Sequence, residues 1–434
     1  MAQLFRQGRH VTNALSGIGS RYFAALAYAD YRWLWIAAMG GASAYWALIV
    51  ARGILVLEMS DSSAWVGIVT FAAMGPRFLI PPLAGYLADR FNRRDVLAAA
   101  YWANTVNNGV LALLALTGSL ELWHVLALSI LNGTARTFQM TATASLVPNL
   151  VPREKLLNAV SLNSATQQGS RLIGPGLIAP LLAIYGPDAA FVGCTAFYAL
   201  GVVMISRIQT RSSGGLGRGS NLLSSLGSAA GVVYRHPELR VLFGIVAFHC
   251  AMTMSFEAIF PAISLNVLDT GRTGVSYLMM AVGAGGLVSA IFIAGVRAER
   301  MRGRILLVSG VVSGISMLGL ATATSLPTAV AAAALMGASQ AGFMALLAAM
   351  VQTLAPEEMR GRISGLNQIN LGGTMAVFNL VNGFAVDFIG PQTVLVFLGL
   401  GFAGIVTASL LIAALRGIYF QGVPLSARAP AAAA

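Results

Sequence analysis

Twelve apolar runs of membrane-spanning length, separated by short polar gaps, leave this chain few folds to choose from. They are read at 33–57, 64–88, 95–118, 122–148, 155–182, 187–207, 239–267, 274–296, 303–323, 327–354, 361–387 and 391–415. A helix needs about 20 apolar residues to cross the hydrocarbon of a bilayer. Within lipid, only helices and closed barrels satisfy every backbone polar group, and runs this long are helical ones. The expected fold is therefore an all-α membrane protein with twelve transmembrane helices. Only 10% of the residues are charged, against about 25% in soluble domains, which is too few to cover a water-exposed surface. Residues 1–32 are polar and basic (Arg6, Arg9, Arg21, Arg32), unlike a cleavable signal.

The runs divide into two sets of six. The longest polar interval, 208–238, begins near Ser212-Ser213-Gly214-Gly215, and its stretch from Leu222 to Tyr234 suits the plane of the interface. Landmarks recur on either side of it. Gly85, Asp89, Arg90 and Arg94, in the gap after the second run, return 210 residues later as Gly295, Glu299, Arg300 and Arg304. Gly133, Pro152, Glu154, Asn163 and Gly169 return after 204 residues as Gly337, Pro356, Glu358, Asn367 and Gly373. The expected organisation is an N-terminal segment (1–32), a six-helix half (33–207), a linker (208–238), a second half (239–415) and a tail (416–434).

Charge gives the orientation. Basic residues fill alternate gaps: Arg90, Arg93 and Arg94, then Arg153 and Lys155, Arg207 to Arg240, Arg297 to Arg304, and Arg360 and Arg362. The other gaps hold Arg272 alone, beside Glu58, Asp61, Glu121, Asp188, Asp269 and Asp387. The positive-inside rule then puts both termini in the cytoplasm, and the net charge of +12 faces anionic headgroups rather than nucleic acid. Cys194 and Cys250 fall inside apolar runs and read as small buried hydrophobes.

The stretch Gly85-Tyr86-Leu87-Ala88-Asp89-Arg90-Phe91-Asn92-Arg93-Arg94, its second copy, and Arg360-Gly361-Arg362 opening the eleventh run carry a resemblance. With the halved repeat, the chain resembles the major facilitator superfamily, and within it bacterial exporters of the enterobactin-exporter type, over about residues 30–415. The resemblance implies the major facilitator fold, alternating access, and proton-driven export across a bacterial inner membrane. It also implies that the first loop holds a cytoplasmic gate. Asp89 would face the start of the eleventh helix near Gly361, where unpaired amides favour an anion. Arg90, Arg93 and Arg94 would reach neighbouring acids and carbonyls, and Gly85 would let two backbones approach closely. An ordinary positive-inside loop accounts for the arginines but not for the acid and the glycine. Gly174-Pro175-Gly176 in the fifth run matches an element that the family associates with antiporters, although the usual further glycine pair is replaced by Ile178-Ala179.

Six ionisable side chains lie inside the runs: Arg52, Arg77, Arg136, Arg171, His249 and Glu257. Each costs at least ~2.5–3.5 kcal/mol to insert, so each is a functional candidate. In the superfamily the first, fourth, seventh and tenth helices line the cavity. Arg52, Arg136, His249 and Glu257 fall on three of these, and Gln340 on the tenth is the repeat partner of Arg136. Asn132, Arg136, Gln139 and Thr143 share one stripe of the fourth run; Asn163, Gln167, Ser170 and Arg171 share one of the fifth. Such stripes must face protein or water. The expected substrate-binding set is Arg52, Arg136, Arg171, His249 and Gln340, with arginine taking an anionic group. Glu257 is the expected proton-coupling residue, its carboxylate paired with an arginine until a proton or the substrate releases it. The competing reading has these arginines bonding helix carbonyls and holding the bundle. Tyr45, Trp46 and Phe256 read either as packing or as contacts to an aromatic substrate, and Asn367, Asn370, Asn379 and Asn382 as hydrogen bonds between helices.

Other chemistries are excluded. Lys155 is the sole lysine and is followed by leucine, so no P-loop exists. Four scattered histidines and two cysteines make no metal site. Gly399-Leu400-Gly401-Phe402-Ala403-Gly404 fits a dinucleotide fingerprint by letter but follows no strand. No catalytic residues, cofactor or metal are expected, so the chain does not read as an enzyme. The expected partners are protons, the bilayer and a small molecule of the siderophore or drug class, with a monomer as the working unit. Uptake of an organic anion, and a sensor or assembly partner that no longer transports, are the alternatives.

Overall fold

A computed structural model describes residues 23–212, 222–296 and 298–422, apart from the side chains of Pro82, Asp89 and residues 222–225. Among these residues there are helices and no strands. In chain order they are α1 (Ala29–Ser60), α2 (Ser63–Met74), α3 (Pro81–Arg90), α4 (Arg93–Leu116), α5 (Leu122–Leu150), α6 (Arg153–Tyr185) and α7 (Pro187–Ser206). An amphipathic α8 (Leu222–Arg235) links them to α9 (Pro237–Met252), α10 (Gly271–Ala294), α11 (Glu299–Ala321), α12 (Leu326–Leu354), α13 (Arg360–Ile389), α14 (Pro391–Ala408) and α15 (Ala413–Gln421). Every apolar run carries helix. Among the described residues, seven helices are long and apolar enough to cross a membrane: α1, α7, α10, α11, α12, α13 and α14.

The others fall short for visible reasons. Gly75-Pro76 and Pro81-Pro82 divide the second run into α2, a turn at Pro76–Leu79, and α3. Buried polar residues dilute α4 (Asn104, Asn107, Asn108), α5 (Asn132, Arg136, Gln139) and α6 (Thr166, Ser170).

Three boundaries differ from those expected. The seventh run is not one helix over 239–267: α9 ends at Met252, residues 253–259 are irregular, and helix resumes from Phe260 to Val267. Pro261 supplies the reason, because it has no N–H and its ring blocks the carbonyl four residues back, at Glu257. The freed backbone groups find side chains. Gln340 Nε2 donates to the Thr253 carbonyl, Asn382 Nδ2 donates to the Ser255 carbonyl at 2.7 Å, and the Ala258 N–H donates to Asn379 Oδ1 at 3.2 Å. At the C-terminal end, residues 416–421 are not tail: α15 buries Leu415, Ile418 and Tyr419 against α11. At the other end, residues 24–32 of the expected leading segment are already helical, with the Ala25 N–H on Asn158 Oδ1. The rest of both segments, 1–22 and 423–434, lies outside the described residues.

Local geometry repeats with the sequence. Asp61 and Asp269, closing the first and seventh runs, both take left-handed backbone (φ 51° and 49°). Gly186 and Gly390 do the same at φ 82° and 79° before Pro187 and Pro391. Gly133 of α5 lies against the Ala73 carbonyl and Gly337 of α12 against the Val282 carbonyl, so neither position has room for a Cβ. Helices α1 and α4–α7 pack on one another, as do α9–α12 and α14. Two long contacts join these groups, α2 along α13 and α6 along α10.

Gly133→Leu and Gly337→Leu should each destabilise the protein by at least about 1–3 kcal/mol, because backbone oxygen cannot yield to the new side chain. Gly85→Ala, at a position open on every side, should be neutral. Thermal unfolding of the three purified variants in detergent checks this.

Candidate functional site

At the centre of the bundle, α1 presents Tyr45 and Trp46, whose rings meet edge-on at 5.4 Å. Three arginines from three other elements rest on them. Arg136 of α5 lies 5.2 Å over the Tyr45 ring, and Arg77 lies 5.7 Å over the same ring while donating to its hydroxyl at 3.3 Å. Arg171 of α6 stacks 4.1 Å over Trp46. The negative faces of these rings stand in for counter-ions that the interior does not supply. Arg136 is 4% exposed, and its Nε has no hydrogen-bond partner. Tyr45 and Trp46 thus carry cations in this conformation. Phe256 is packing, stacked on Phe260 at 4.5 Å.

Glu257 lies in the irregular segment of the seventh run and is 3% exposed. Its Oε2 accepts from Asn379 Nδ2 at 2.8 Å, and its Oε1 is buried without a partner. The expected arginine pair is not formed. Arg171 and Arg77 act on the carboxylate only through their fields, because the break turns Glu257 toward α13. The structure thus brings Arg136, Arg171 and Glu257 to the centre. Arg77 joins them because the turn after Gly75 carries it inward, although it was left out of the expected binding set.

The other expected members sit elsewhere. Arg52 is consumed within its own group of helices: Nε donates to the Leu48 carbonyl at 3.3 Å, and its two terminal nitrogens donate to Ser129 Oγ and Asn132 Oδ1, both at 2.8 Å. Asn132 continues the ladder to Asn104 Oδ1 at 2.7 Å. Arg52 therefore holds α1, α4 and α5 together, as the competing reading has it. His249 is enclosed by Phe343 (4.6 Å), Phe402 (5.0 Å) and Ser313 (3.4 Å) of α12, α14 and α11. Gln340 supports the break at Thr253. In α6, Gly174 packs on the Ser43 backbone, and Gly176 faces the Met280 side chain of α10 at 3.3 Å. The helix runs through Pro175 unbroken, so this element is where α6 crosses both groups.

The two ends of the bundle differ. The acidic end, bearing Glu58, Asp61, Asp269 and Asp387, is shut. Gly67 of α2 and Gly383 of α13 bring their backbones together, with no space for a Cβ at either. Asp387 then caps α2 from α13: Oδ1 accepts the Ser63 N–H at 2.7 Å, while Oδ2 accepts the Ala64 N–H at 3.1 Å and the Ser62 hydroxyl at 2.6 Å. Arg272 of α10 grips Glu58 of α1 with two hydrogen bonds, at 2.7 and 3.1 Å.

At the basic end the expected gate contact rests on Asp89. Among the described residues nothing lies within 4 Å of where a Cβ would stand on Gly85 or Gly361, so no described neighbour approaches either position closely. The Asp89 side chain lies outside the described residues. The arginines of this loop do reach carbonyls, but in their own helix group: Arg93 reaches Ser145 at 3.0 Å and Arg94 reaches Ser206 at 2.7 Å, while Arg90 donates to the Tyr86 hydroxyl at 2.9 Å. In the second copy, Gly303 packs on the Ile418 and Tyr419 backbone and Gly422 packs on Glu299. Gly295, Arg300 and Arg304 stay peripheral, the two arginines exposed.

The sequence pattern of the transmembrane secretion effector family matches residues 20–424. Among curated relatives, the multidrug efflux pump Tap of Mycolicibacterium fortuitum is 24% identical over 327 residues, covering 73% of this chain and 80% of Tap. Macrolide efflux protein A of Streptococcus pyogenes is 22% identical over 342 residues, covering 77% of this chain and 83% of its own length. The crystal structure of the nucleoside transporter NupG superimposes with a TM-score of 0.72 at 11% identity, covering 88% of this chain and 98% of NupG; that likeness concerns fold alone.

Asp387→Ala should loosen the acidic end. A lost helix cap costs about 0.5–2 kcal/mol, or roughly a 2- to 30-fold rise in the open fraction. Val66→Cys, buried beneath the seam, should then react faster with a membrane-impermeant maleimide in the Asp387→Ala background; an unchanged rate would mean that the cap does not hold the end shut.

Proposed function

The chain belongs to the transmembrane secretion effector family of the major facilitator superfamily, and we propose that it exports a small anionic or amphiphilic compound, of the siderophore or drug class, in exchange for protons. On this reading twelve helices cross a bacterial inner membrane as two six-helix halves, and the basic end faces the cytoplasm. The named efflux activities of its relatives support the direction. An acidic end shut by glycine contacts and Asp387, over a basic end where Gly85 and Gly361 have no close neighbour among the described residues, is what a cytoplasm-facing state of an alternating-access carrier requires.

The single observation that carries the reading is the charge imbalance at the centre. Three arginines (Arg77, Arg136 and Arg171) rest on two rings there, and Glu257 is the one carboxylate that acts among them. A cation held by a ring gives it up readily to a real anion, since ring contacts contribute about 0.5–2 kcal/mol and hydrogen bonds to charged groups about 1.5–3. An anionic cargo arriving from the basic end would take Arg136 and Arg171 off Tyr45 and Trp46. Its charge also displaces the need for Glu257 to remain ionised or protonated in a fixed way, so cargo and proton compete for one electrostatic site. Lipid recognition by the outward-facing arginines orients the protein and takes no part in this exchange.

In everted vesicles carrying an imposed pH gradient, the wild-type protein should drive uptake of an anionic candidate cargo. Arg136→Ala should weaken its binding about tenfold or more, the worth of one charge-assisted hydrogen bond. Glu257→Gln should abolish gradient-driven accumulation while leaving passive exchange. Gradient-driven accumulation at the wild-type rate in Glu257→Gln would remove the carboxylate from the coupling step.

A further inference from the structure

We propose that Asn379 is the positioning residue that ties the state of Glu257 to the closure of the acidic end; this rests on Glu257 being the proton-coupling group. The geometry is a two-sided clamp. Asn379 is fully buried in α13. Its Oδ1 accepts from the Ala258 N–H at 3.2 Å, and its Nδ2 donates to Glu257 Oε2 at 2.8 Å and to the Met375 carbonyl at 3.0 Å. Because the amide oxygen is committed to an N–H, the face turned to the carboxylate can only donate. It therefore distinguishes the two forms of Glu257. The carboxylate offers it a charged acceptor. The neutral acid must put its proton on Oε1, the oxygen without a partner, and leaves Oε2 as a carbonyl, roughly half as strong an acceptor.

The same length of α13 holds the seam. The Asn379 carbonyl lies against Gly67 of α2, Gly383 lies against the Ser63 carbonyl, and Asp387 caps the first turn of α2. On its other side, Asn382 and the Met375 carbonyl bind Ser255 of the irregular segment. Residues 375–387 thus grip the broken seventh run on one face and α2 on the other. A segment free of regular helix can move without unwinding anything, so loosening its bond to Asn379 is transmitted to α13 and thence to the seam. The charged groups facing Glu257 are Arg171 of α6 and Arg77 of the turn after α2; those at the seam are Asp387, Glu58 and Arg272.

The test uses the full chain in lipid nanodiscs, without cargo, with Cys194 and Cys250 replaced by alanine and spin labels on Ser119→Cys and Thr324→Cys, exposed at the acidic end of each half. Pulsed-EPR distances across that end, followed against pH, should show one titration step in the parent protein. Glu257→Gln should remove the step. Asn379→Ala should remove it, or move its midpoint by about one pH unit or more, although Glu257 is intact. Asn370→Ala, which loses a comparable bond from α13 to the Phe243 carbonyl but does not touch Glu257, should keep the parental step. An Asn379→Ala protein with the parental step and midpoint overturns the proposal, as does loss of the step in Asn370→Ala, which would make the effect one of helix packing. Asn379→Ser, too short to reach both partners, serves if the alanine variant does not fold. A step that survives Glu257→Gln, or is absent from the parent, fails at the earlier premise that Glu257 is the proton site.

Discussion

A backbone amide in hydrocarbon must be bonded by the protein or not at all, and Pro261 creates a place where helix cannot do it. The polar architecture of the second helix group follows from that one residue. Residues 253–259 leave their helical partners, and Gln340, Asn379 and Asn382 take over the freed groups. These side chains would be a liability on α12 and α13 if the seventh run were continuous. With the run broken, they are required, and the break sets Glu257 within reach of one of them. The first helix group meets the same constraint differently. Its buried Arg52 is bonded through Ser129, Asn132 and Asn104 in a ladder that needs no acid.

Glycine decides which end of the bundle can shut. Where α2 meets α13, Gly67 and Gly383 allow backbone to touch backbone, whereas toward the basic end the Phe78 side chain of the turn after α2 meets the Cβ position of Gly373 at an ordinary van der Waals distance of 3.9 Å. Small residues in a membrane interface gain van der Waals contact without side-chain ordering, so such a seam closes tightly yet contains little that must be broken to open it. Its polar contact is the cap by Asp387, while Glu58–Arg272 ties α1 to α10 at the same end. The ion pair is partly exposed, at 44% and 30%, and contributes little on its own. The cap by Asp387 satisfies amides that α2 cannot bond itself, since its own Ser62 makes no side-chain cap.

Fold class was legible in the sequence because the length and apolarity of a run are local properties, and positive φ at Gly186 returns 204 residues later at Gly390. The helix breaks were less legible. Pro261 was in view, but prolines at 175 and 180 sit inside an unbroken α6, so a proline alone does not announce a break; the asparagines one helix away do. Among the ionisable residues of the runs, Arg136, Arg171 and Glu257 were singled out by the cost of burying charge, and the fold brings them together at the centre. Arg52 met the same criterion and proved structural, because its acceptors, Ser129 and Asn132, lie on a different helix that periodicity cannot align with it. The gate contact of Asp89 with Gly361, implied by the resemblance, falls on a side chain outside the described residues.

The two loop copies show how a repeated motif can diverge in use while keeping its letters. The first has no described neighbour close to Gly85, and its Arg93 and Arg94 reach back to carbonyls of α5 and α7. The second lies under α15, whose backbone fills the notch at Gly303 and whose end rests on Glu299 through Gly422 at φ 80°. α15 follows the last membrane run. α15 packs on Gly303 of the second copy, while Arg300 and Arg304 of that copy stay exposed. The close contacts of each loop copy thus stay within one helix group, whereas at the acidic end the seam of α2 and α13 joins the two groups.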